Sequence, residues 1–212
     1  PEYIQGNCTG CMDCVTLCPD TAILGKVVGE KEWKERIDKI PNDAAGNFFR
    51  EQWSEPRKYY DGPKKKIGEG GKFSIIIDPS KCKGCAECVT VCDDDALKMI
   101  PKTDEVIDNI RQSHRYFKEF GPSDERYVND NLLIDMMLKE QTHVYVGGAG
   151  SCAGCGEGSA LRMLCSATGV KHGNDWGIIA ATGCNTVYTS TYSYNPYLVP
   201  WSNSLFENAP AY

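Results

Sequence analysis

Residues 8–18 read Cys8-Thr9-Gly10-Cys11-Met12-Asp13-Cys14-Val15-Thr16-Leu17-Cys18, with the cysteine spacing C-x2-C-x2-C-x3-C. Residues 82–92 repeat this spacing with four further cysteines. The two copies also share other residue types at equivalent positions, namely Gly10/Gly84, Val15/Val89, Thr16/Thr90, Asp20/Asp94 and Ala22/Ala96. This agreement beyond cysteine indicates an internal repeat.

The spacing is typical of cysteines that bind a [4Fe–4S] cluster. A tight loop with two residues between ligands offers three thiolates. The fourth cysteine, which we expect at the start of the following helix, points toward the other cluster. The repeat therefore predicts crossed ligation. One cluster takes Cys8, Cys11, Cys14 and Cys92, and the other takes Cys82, Cys85, Cys88 and Cys18.

Structural zinc and disulfide bonds are the alternative interpretations of these cysteines. Zinc prefers two distant C-x2-C pairs, whereas each copy here holds four thiols within eleven residues, 8–18 and 82–92. The same spacing argues against a disulfide framework. In the second copy Asp93 stands where the first has Pro19. We expect its carboxylate to lower the potential of the cluster that Cys92 binds, because net charge tunes these clusters.

Length and composition restrict the class of protein. The 212 residues suffice for one or two domains, and 41% hydrophobic with 25% charged residues excludes wholesale disorder. With 29 acidic against 23 basic residues we expect no nucleic-acid surface. We also expect no membrane span, since apolar runs such as 176–182 fall far short of ~20 residues. The start lacks an initiator Met and a signal peptide, so we expect a piece of a longer chain.

Residues 1–100 are predicted to form an α+β ferredoxin-like domain with two clusters. Both 1–25 and 73–100 indicate a strand, a cysteine loop and a short helix, and residues 73–77 are a β-branched strand. The insertion at 26–78, with a helix predicted at 31–40, is interpreted as a solvated excursion that packs on a neighbouring domain. The more specific alternative is that the insertion forms a docking surface for an electron-transfer partner.

The rest of the chain divides at residue 140. Residues 101–140 predict a helical connector, with one apolar face formed by Leu132, Leu133, Met136 and Met137. Residues 141–212 carry only five formally charged side chains and are too few to bury an independent core. We expect this part to pack within a larger assembly.

The C-terminal part holds a second cysteine pattern. Cys152 and Cys155 form a lone C-x2-C, compatible with zinc or a redox dithiol, between a strand predicted at 144–146 and a helix at 159–165. A further strand predicted at 177–181 leads to Cys184. This cysteine thus follows a strand's carboxyl end, where α/β sheets gather their ligands.

Three motifs resemble the pyruvate:ferredoxin (2-oxoacid:acceptor) oxidoreductase family: Cys-Ala-Gly-Cys-Gly-Glu at 152–157, Ala-Thr-Gly-Cys at 181–184 and Pro-Trp-Ser-Asn-Ser-Leu-Phe-Glu at 200–207. The two-cluster segment upstream is in the family's order. The resemblance implies that 141–212 begins an α/β thiamine diphosphate-binding domain. It also implies three [4Fe–4S] clusters, thiamine diphosphate, Mg²⁺ and coenzyme A as co-substrate.

Carried over to this sequence, the resemblance implies that Cys152, Cys155 and Cys184 bind the third cluster, whose fourth ligand lies downstream. Glu157 would contact thiamine diphosphate, with Cys184 close to it. Cys165 matches no ligand, and we expect it to be a buried spare thiol.

The implied function is anaerobic oxidative decarboxylation of a 2-oxoacid, pyruvate first, to acyl-CoA and CO2. Electrons would pass through three clusters to ferredoxin or flavodoxin. The resemblance further implies a cytoplasmic homo-oligomer with the remaining domains or subunits of the enzyme. The alternatives are a non-catalytic polyferredoxin-type subunit, or the same chemistry on oxoglutarate, indolepyruvate or oxalate.

Overall fold

A computed structural model of the chain describes residues 1–142, 150–189 and 196–203. The strands are β1 Glu2–Tyr3, β2 Ile23–Gly29, β3 Trp53–Ser54, β4 Gly71–Ile77, β5 Leu97–Lys98, β6 Ile178–Ala180 and β7 Trp201–Asn203. The helices are α1 Asp13–Leu17, α2 Glu30–Ile37, α3 Ala44–Glu51, α4 Asp61–Ile67, α5 Glu87–Thr90, α6 Asp104–Glu119, α7 Leu133–Met136, α8 Gly156–His172 and α9 Cys184–Thr189. Short 3-10 helices span Gln5–Asn7, Glu125–Tyr127 and Met137–Thr142. Within these described ranges, no helix combines the length and apolarity needed to cross a bilayer.

The two cysteine repeats adopt the same backbone conformation. Gly10 and Gly84 both have φ of 73°, a left-handed conformation that glycine adopts without steric cost. Met12 and Ala86, which precede the short helices α1 and α5, are also left-handed, with φ of 73° and 67°. Strand β1 pairs with β5 and β2 pairs with β4, so the two repeats interleave. The sequence repeat is therefore a structural repeat, and the predicted strand at 73–77 is confirmed within β4.

The fourth cysteine of each repeat follows its short helix instead of starting one, so this part of the prediction is wrong. Helix α1 ends at Leu17, and Cys18 is extended with ψ of 108°. Pro19 accounts for this ending, because a proline pushes the preceding residue out of helical conformation. In the second repeat α5 ends at Thr90, before Cys92. The fourth cysteine of each repeat thus lies in the segment that follows the short helix.

A three-stranded sheet separates two hydrophobic cores. Strands β2 and β4 pair antiparallel over seven residues, and β3 joins the free edge of β4. One face of the sheet packs against the cysteine loops. The other face, with α2, α3 and α6, forms a second core that consists of Leu24, Val28, Ile37, Phe49, Trp53, Ile76, Tyr116, Phe117 and Phe120. The 26–78 insertion supplies most of these side chains and is therefore not a solvated excursion.

Residues 101–140 are helical in large part, as predicted, but they belong to the core of the domain. Helix α6 packs on α3 and β4, in the second core. At the other end of the segment, Met137 and Leu138 are buried on the cysteine side of the sheet. Of the predicted apolar face, Met136 is also buried, whereas Leu132 is 44% exposed. Residues 101–140 thus contribute side chains to both hydrophobic cores.

The C-terminal part contains helices and a parallel pair of strands. The predicted helix at 159–165 lies within the longer α8, and the strand at 177–181 contains β6. Strand β6 pairs parallel with β7, and α9 lies between them in the chain, as in α/β units. Cys165 is fully buried against Tyr188, Tyr197 and Val199. The strand predicted at 144–146 lies outside the described residues.

Lys26 is a fully buried cation in the second core. It lies on β2, and its ammonium group donates a hydrogen bond to the carbonyl of Phe117. The same group lies 4.0 Å from the centroid of the Phe117 ring. Burial disfavours the charged form and lowers the pKa of Lys26 to about 7. Native Lys26 therefore binds its proton more weakly than the unfolded chain does.

We expect Lys26→Met to raise the free energy of unfolding at pH 7 by about 2 kcal/mol. At this pH the amine is protonated in the unfolded chain, and its burial in the native protein weakens the binding of that proton. The Met side chain avoids this cost. Between pH 7 and about 10 the unfolded chain binds this proton and the native chain does not, so native stability rises with pH. The Met variant should lose that rise. Chemical denaturation at pH 7 and 9 measures both effects, with exposed Lys66→Met as control. A variant less stable than wild type at both pH values would contradict the expectation.

Candidate iron–sulfur sites

The first cavity of the cysteine loops is lined by thiols from both repeats. Its thiols are Cys8, Cys11, Cys14 and Cys92. Apolar side chains complete its wall, including Phe73 and Ile75 of β4. Cys14 is buried, whereas Cys11 is exposed at the surface.

The second cavity has the complementary set of thiols. It is lined by Cys18, Cys82, Cys85 and Cys88. Each cavity thus takes three cysteines from one repeat and the fourth from the other. This is the grouping that crossed ligation requires, and ligation itself stays a prediction. In the described ranges, no three or more His, Cys, Asp or Glu side chains are grouped so as to hold a single metal ion.

The chemistry of both cavities fits thiolate-bound clusters. The amide of Ala22 donates to Cys18 Sγ at 3.3 Å, and the amide of Ala96 donates equivalently to Cys92 Sγ at 3.3 Å. Such bonds to ligand sulfur stabilise the thiolate and tune cluster potential. Burial raises the pKa of Cys14 well above its usual range and that of Cys88 to about 11. Because burial alone favours the thiol, iron binding would supply the positive charge that stabilises the thiolate.

The insertion packs on the first cysteine loop through Tyr59. A Cβ atom at Gly10 would lie 3.0 Å from Cε2 of Tyr59, so the ring packs directly on the cysteine loop. The Tyr59 hydroxyl donates to Asp135 at 2.8 Å, and Lys58 Nζ lies 2.7 Å from the same carboxylate oxygen. Sequence reasoning missed this group, because nothing in the local pattern links Tyr59 with Asp135.

The three cysteines expected to bind a third cluster are called the third cysteine group, namely Cys152, Cys155 and Cys184. Two of them lie at the starts of helices, and Cys152 lies in the loop before α8. Cys155 is the N-cap of α8, and its Sγ accepts a hydrogen bond from the amide of Gly158 at 3.4 Å. Cys184 is the first residue of α9, and both Cys184 and Cys152 are exposed. Asn185 donates to Glu157 Oε1 at 2.8 Å. Glu157 therefore contacts Asn185, the residue that follows Cys184 in the sequence.

The loop that carries Cys152 and Cys155 packs beside the second cavity. A Cβ atom at Gly154 would lie 2.9 Å from Oε1 of Glu87, which lines that cavity. Lys83, another lining residue, donates to the carbonyl of Ser151 at 2.8 Å and lies 3.0 Å from buried Asp20. The loop that carries Cys152 and Cys155 is thus in contact with the loop of the second repeat.

Helix α8 is fastened to the first repeat by a buried arginine. Arg162 is 0% exposed, and its guanidinium donates to the carbonyls of Cys18 at 3.0 Å and Ile23 at 2.7 Å. A third hydrogen bond reaches the carbonyl of Val15. Burial raises the pKa of the Cys18 thiol, and the Arg162 charge opposes that rise. Sequence reasoning missed Arg162, although it is the one arginine in residues 141–212.

Asp93 is exposed, so solvent and salt screen its charge. We expect Asp93→Pro, which restores the residue of the first repeat, to raise the potential of the cluster that Cys92 binds. Asp93→Asn should act in the same direction, and the shift should shrink at high salt. A redox titration followed by electron paramagnetic resonance measures this potential, with Asp104→Asn as an exposed control. An unchanged potential in both Asp93 variants at low salt would refute the expectation.

Comparison with known proteins agrees with the two-cavity arrangement. Residues 7–96 match the family described as the 4Fe-4S dicluster domain. The pyruvate-flavodoxin oxidoreductase of a Nostoc species is 29% identical over 98% of this chain and 16% of its own length. The pyruvate:ferredoxin oxidoreductase of Moorella thermoacetica is 28% identical with the same coverage. The mitochondrial pyruvate dehydrogenase [NADP(+)] of Euglena gracilis is 27% identical over 98% of the chain and 10% of its own. The chain therefore spans a sixth or less of the length of these relatives.

Proposed function

We propose that this chain, which contains a 4Fe–4S dicluster domain, belongs with the pyruvate:ferredoxin and pyruvate-flavodoxin oxidoreductases that it resembles, and that it carries electrons within a 2-oxoacid oxidoreductase. The proposed reaction is oxidative decarboxylation of pyruvate to acyl-CoA and CO2. Ferredoxin or flavodoxin is the proposed acceptor. The enzyme's remaining domains or subunits complete the proposed assembly, a cytoplasmic homo-oligomer.

The observation that carries this proposal is the order of the three cysteine groups. The loop of Cys152 and Cys155 packs on the wall of the second cavity, through Gly154 against Glu87. Both cavities are formed by the same two interleaved repeats. Cys11, which lines the first cavity, is exposed at the surface. The order supports a path from the third group, through the second cavity, to the surface at the first.

The cofactors divide the chemistry. Bound [4Fe–4S] clusters accept and release single electrons, and thiamine diphosphate with Mg²⁺ supplies the decarboxylation. In this proposal Cys152, Cys155 and Cys184 hold the third cluster. Glu157, held by Asn185 at 2.8 Å, contacts thiamine diphosphate close to Cys184.

The proposal is tested on the native protein, purified without oxygen. We expect pyruvate with coenzyme A to reduce a viologen dye, and oxoglutarate, indolepyruvate and oxalate to do so poorly. Preference for one of those three would keep the enzyme class and overturn pyruvate as the substrate. Reduction with none of the four would overturn the enzymatic role and favour a polyferredoxin-type carrier.

A further inference from the structure

We propose that Arg162 is a positioning residue of the electron path. Its guanidinium fixes α8 to the first repeat and holds a permanent positive charge beside the second cavity, which raises the reduction potential of the cluster bound there. The inference rests on the proposed function, because it requires a cluster held by Cys18, Cys82, Cys85 and Cys88.

The position of the charge follows from three hydrogen bonds. Arg162 donates to the carbonyl of Cys18, itself one of the thiols of the second cavity, at 3.0 Å. Arg162 also donates to the carbonyls of Val15 and Ile23, which lie before and after Cys18 in the chain. The guanidinium therefore contacts the backbone of Cys18 and of residues on both sides of it. Its charge is held at the backbone of a proposed ligand.

Arginine keeps its charge in this setting, because its guanidinium is protonated at any pH at which proteins fold. Burial of the guanidinium weakens the screening of its charge by water. Reduction adds one electron to the cluster and forms or breaks no bond at Arg162. The nearby positive charge stabilises the added negative charge and so favours the reduced state.

The same residue helps to set the position of Cys155, the cysteine at the start of α8. Arg162 and the N-cap Cys155 lie on one helix, α8. Ser159, between them, donates to the carbonyl of Leu17 at 2.6 Å. A Cβ atom at Gly158 would lie 3.1 Å from Cβ of Pro19, so the helix approaches the first repeat closely at this point. These contacts hold the start of α8 beside the second cavity.

The test is a redox titration of the native protein and of Arg162→Gln, Arg162→Met and Arg162→Lys, followed by electron paramagnetic resonance. In the two neutral variants we expect the reduction equilibrium of the second cluster to fall about tenfold, which is about 59 mV for a one-electron couple. The first cluster should keep its potential. Arg162→Lys retains the charge and should remain within about threefold of wild type. Arg111→Gln, on the exposed side of α6, is the matched control.

Two results would overturn the inference. Neutral variants with full iron content and an unchanged second potential would exclude the charge effect. If the neutral variants do not fold, a tenfold fall in Arg162→Lys would also overturn it, because that variant keeps the charge. Iron and sulfide analysis separates these results from failure of the proposed function, in which the wild-type protein itself would lack the second cluster.

Discussion

Replacement of Cys18 by Ser is expected to remove the cluster of the second cavity, although Cys18 belongs to the first cysteine repeat. The second cavity is lined by Cys18 together with three cysteines of the second repeat. Loss of one thiolate leaves three ligands for a cluster that takes four. We expect about four irons fewer per chain and loss of one paramagnetic signal, while the signal of the first cavity remains.

The comparison that decides this prediction uses pairs of variants. Cys18→Ser and Cys82→Ser should lose the same signal, and Cys92→Ser and Cys8→Ser should lose the other. Cys165→Ser, in a buried thiol away from both cavities, is the control and should keep both signals. If Cys18→Ser lost the same signal as Cys8→Ser, ligation would be local to each repeat and the crossed arrangement would be wrong.

Cys184→Ser is expected to lower oxoacid-dependent dye reduction by more than about 100-fold. Loss of a residue that hydrogen-bonds to a metal ligand lowers metal affinity or activity by about 10–100-fold, and loss of the ligand itself should lower activity further. The start of α9, where Cys184 lies, is tied to α8 by the hydrogen bond between Asn185 and Glu157. The proposed third cluster is the first to receive electrons. Without it the two outer clusters receive none from the oxoacid.

The outer clusters provide the internal control for this variant. Dithionite should still reduce both in Cys184→Ser, with the signals and potentials of the wild-type protein. Cys165→Ser should retain oxoacid-dependent reduction. Full activity of Cys184→Ser with pyruvate would remove Cys184 from the proposed electron path.

The sequence predicted the parts of the fold that short-range spacing controls. The spacing in 8–18 and 82–92 grouped eight cysteines as the two cavities do, and the apolar run at 73–77 marked β4. The predicted helix at 31–40 is confirmed as α2, with an earlier end at Ile37. Spacing did not fix where the helices end, since α1 ends before Cys18 and Pro19, and α5 ends before Cys92 although no proline follows it.

The second core was beyond the reach of sequence patterns. Phe49 and Phe120 lie with ring centroids 5.6 Å apart, although one belongs to the insertion and the other directly follows α6. The sequence indicated a solvated excursion for the insertion and a helical connector for 101–140, and neither pattern by itself predicts a shared core. The packing of α3 on α6 brings these two segments together. The role of Arg162 was not predicted for the same reason, because the carbonyls of Val15, Cys18 and Ile23 that accept its hydrogen bonds lie far from it in the sequence.

We propose that this chain holds two complete clusters and part of a third beside thiamine diphosphate. Analysis of iron, acid-labile sulfide and thiamine diphosphate in the native protein, purified without oxygen, tests this proposal most directly. With four irons per cluster, we expect about twelve irons and one thiamine diphosphate per chain. About eight irons without thiamine diphosphate, or zinc in place of iron, would contradict it.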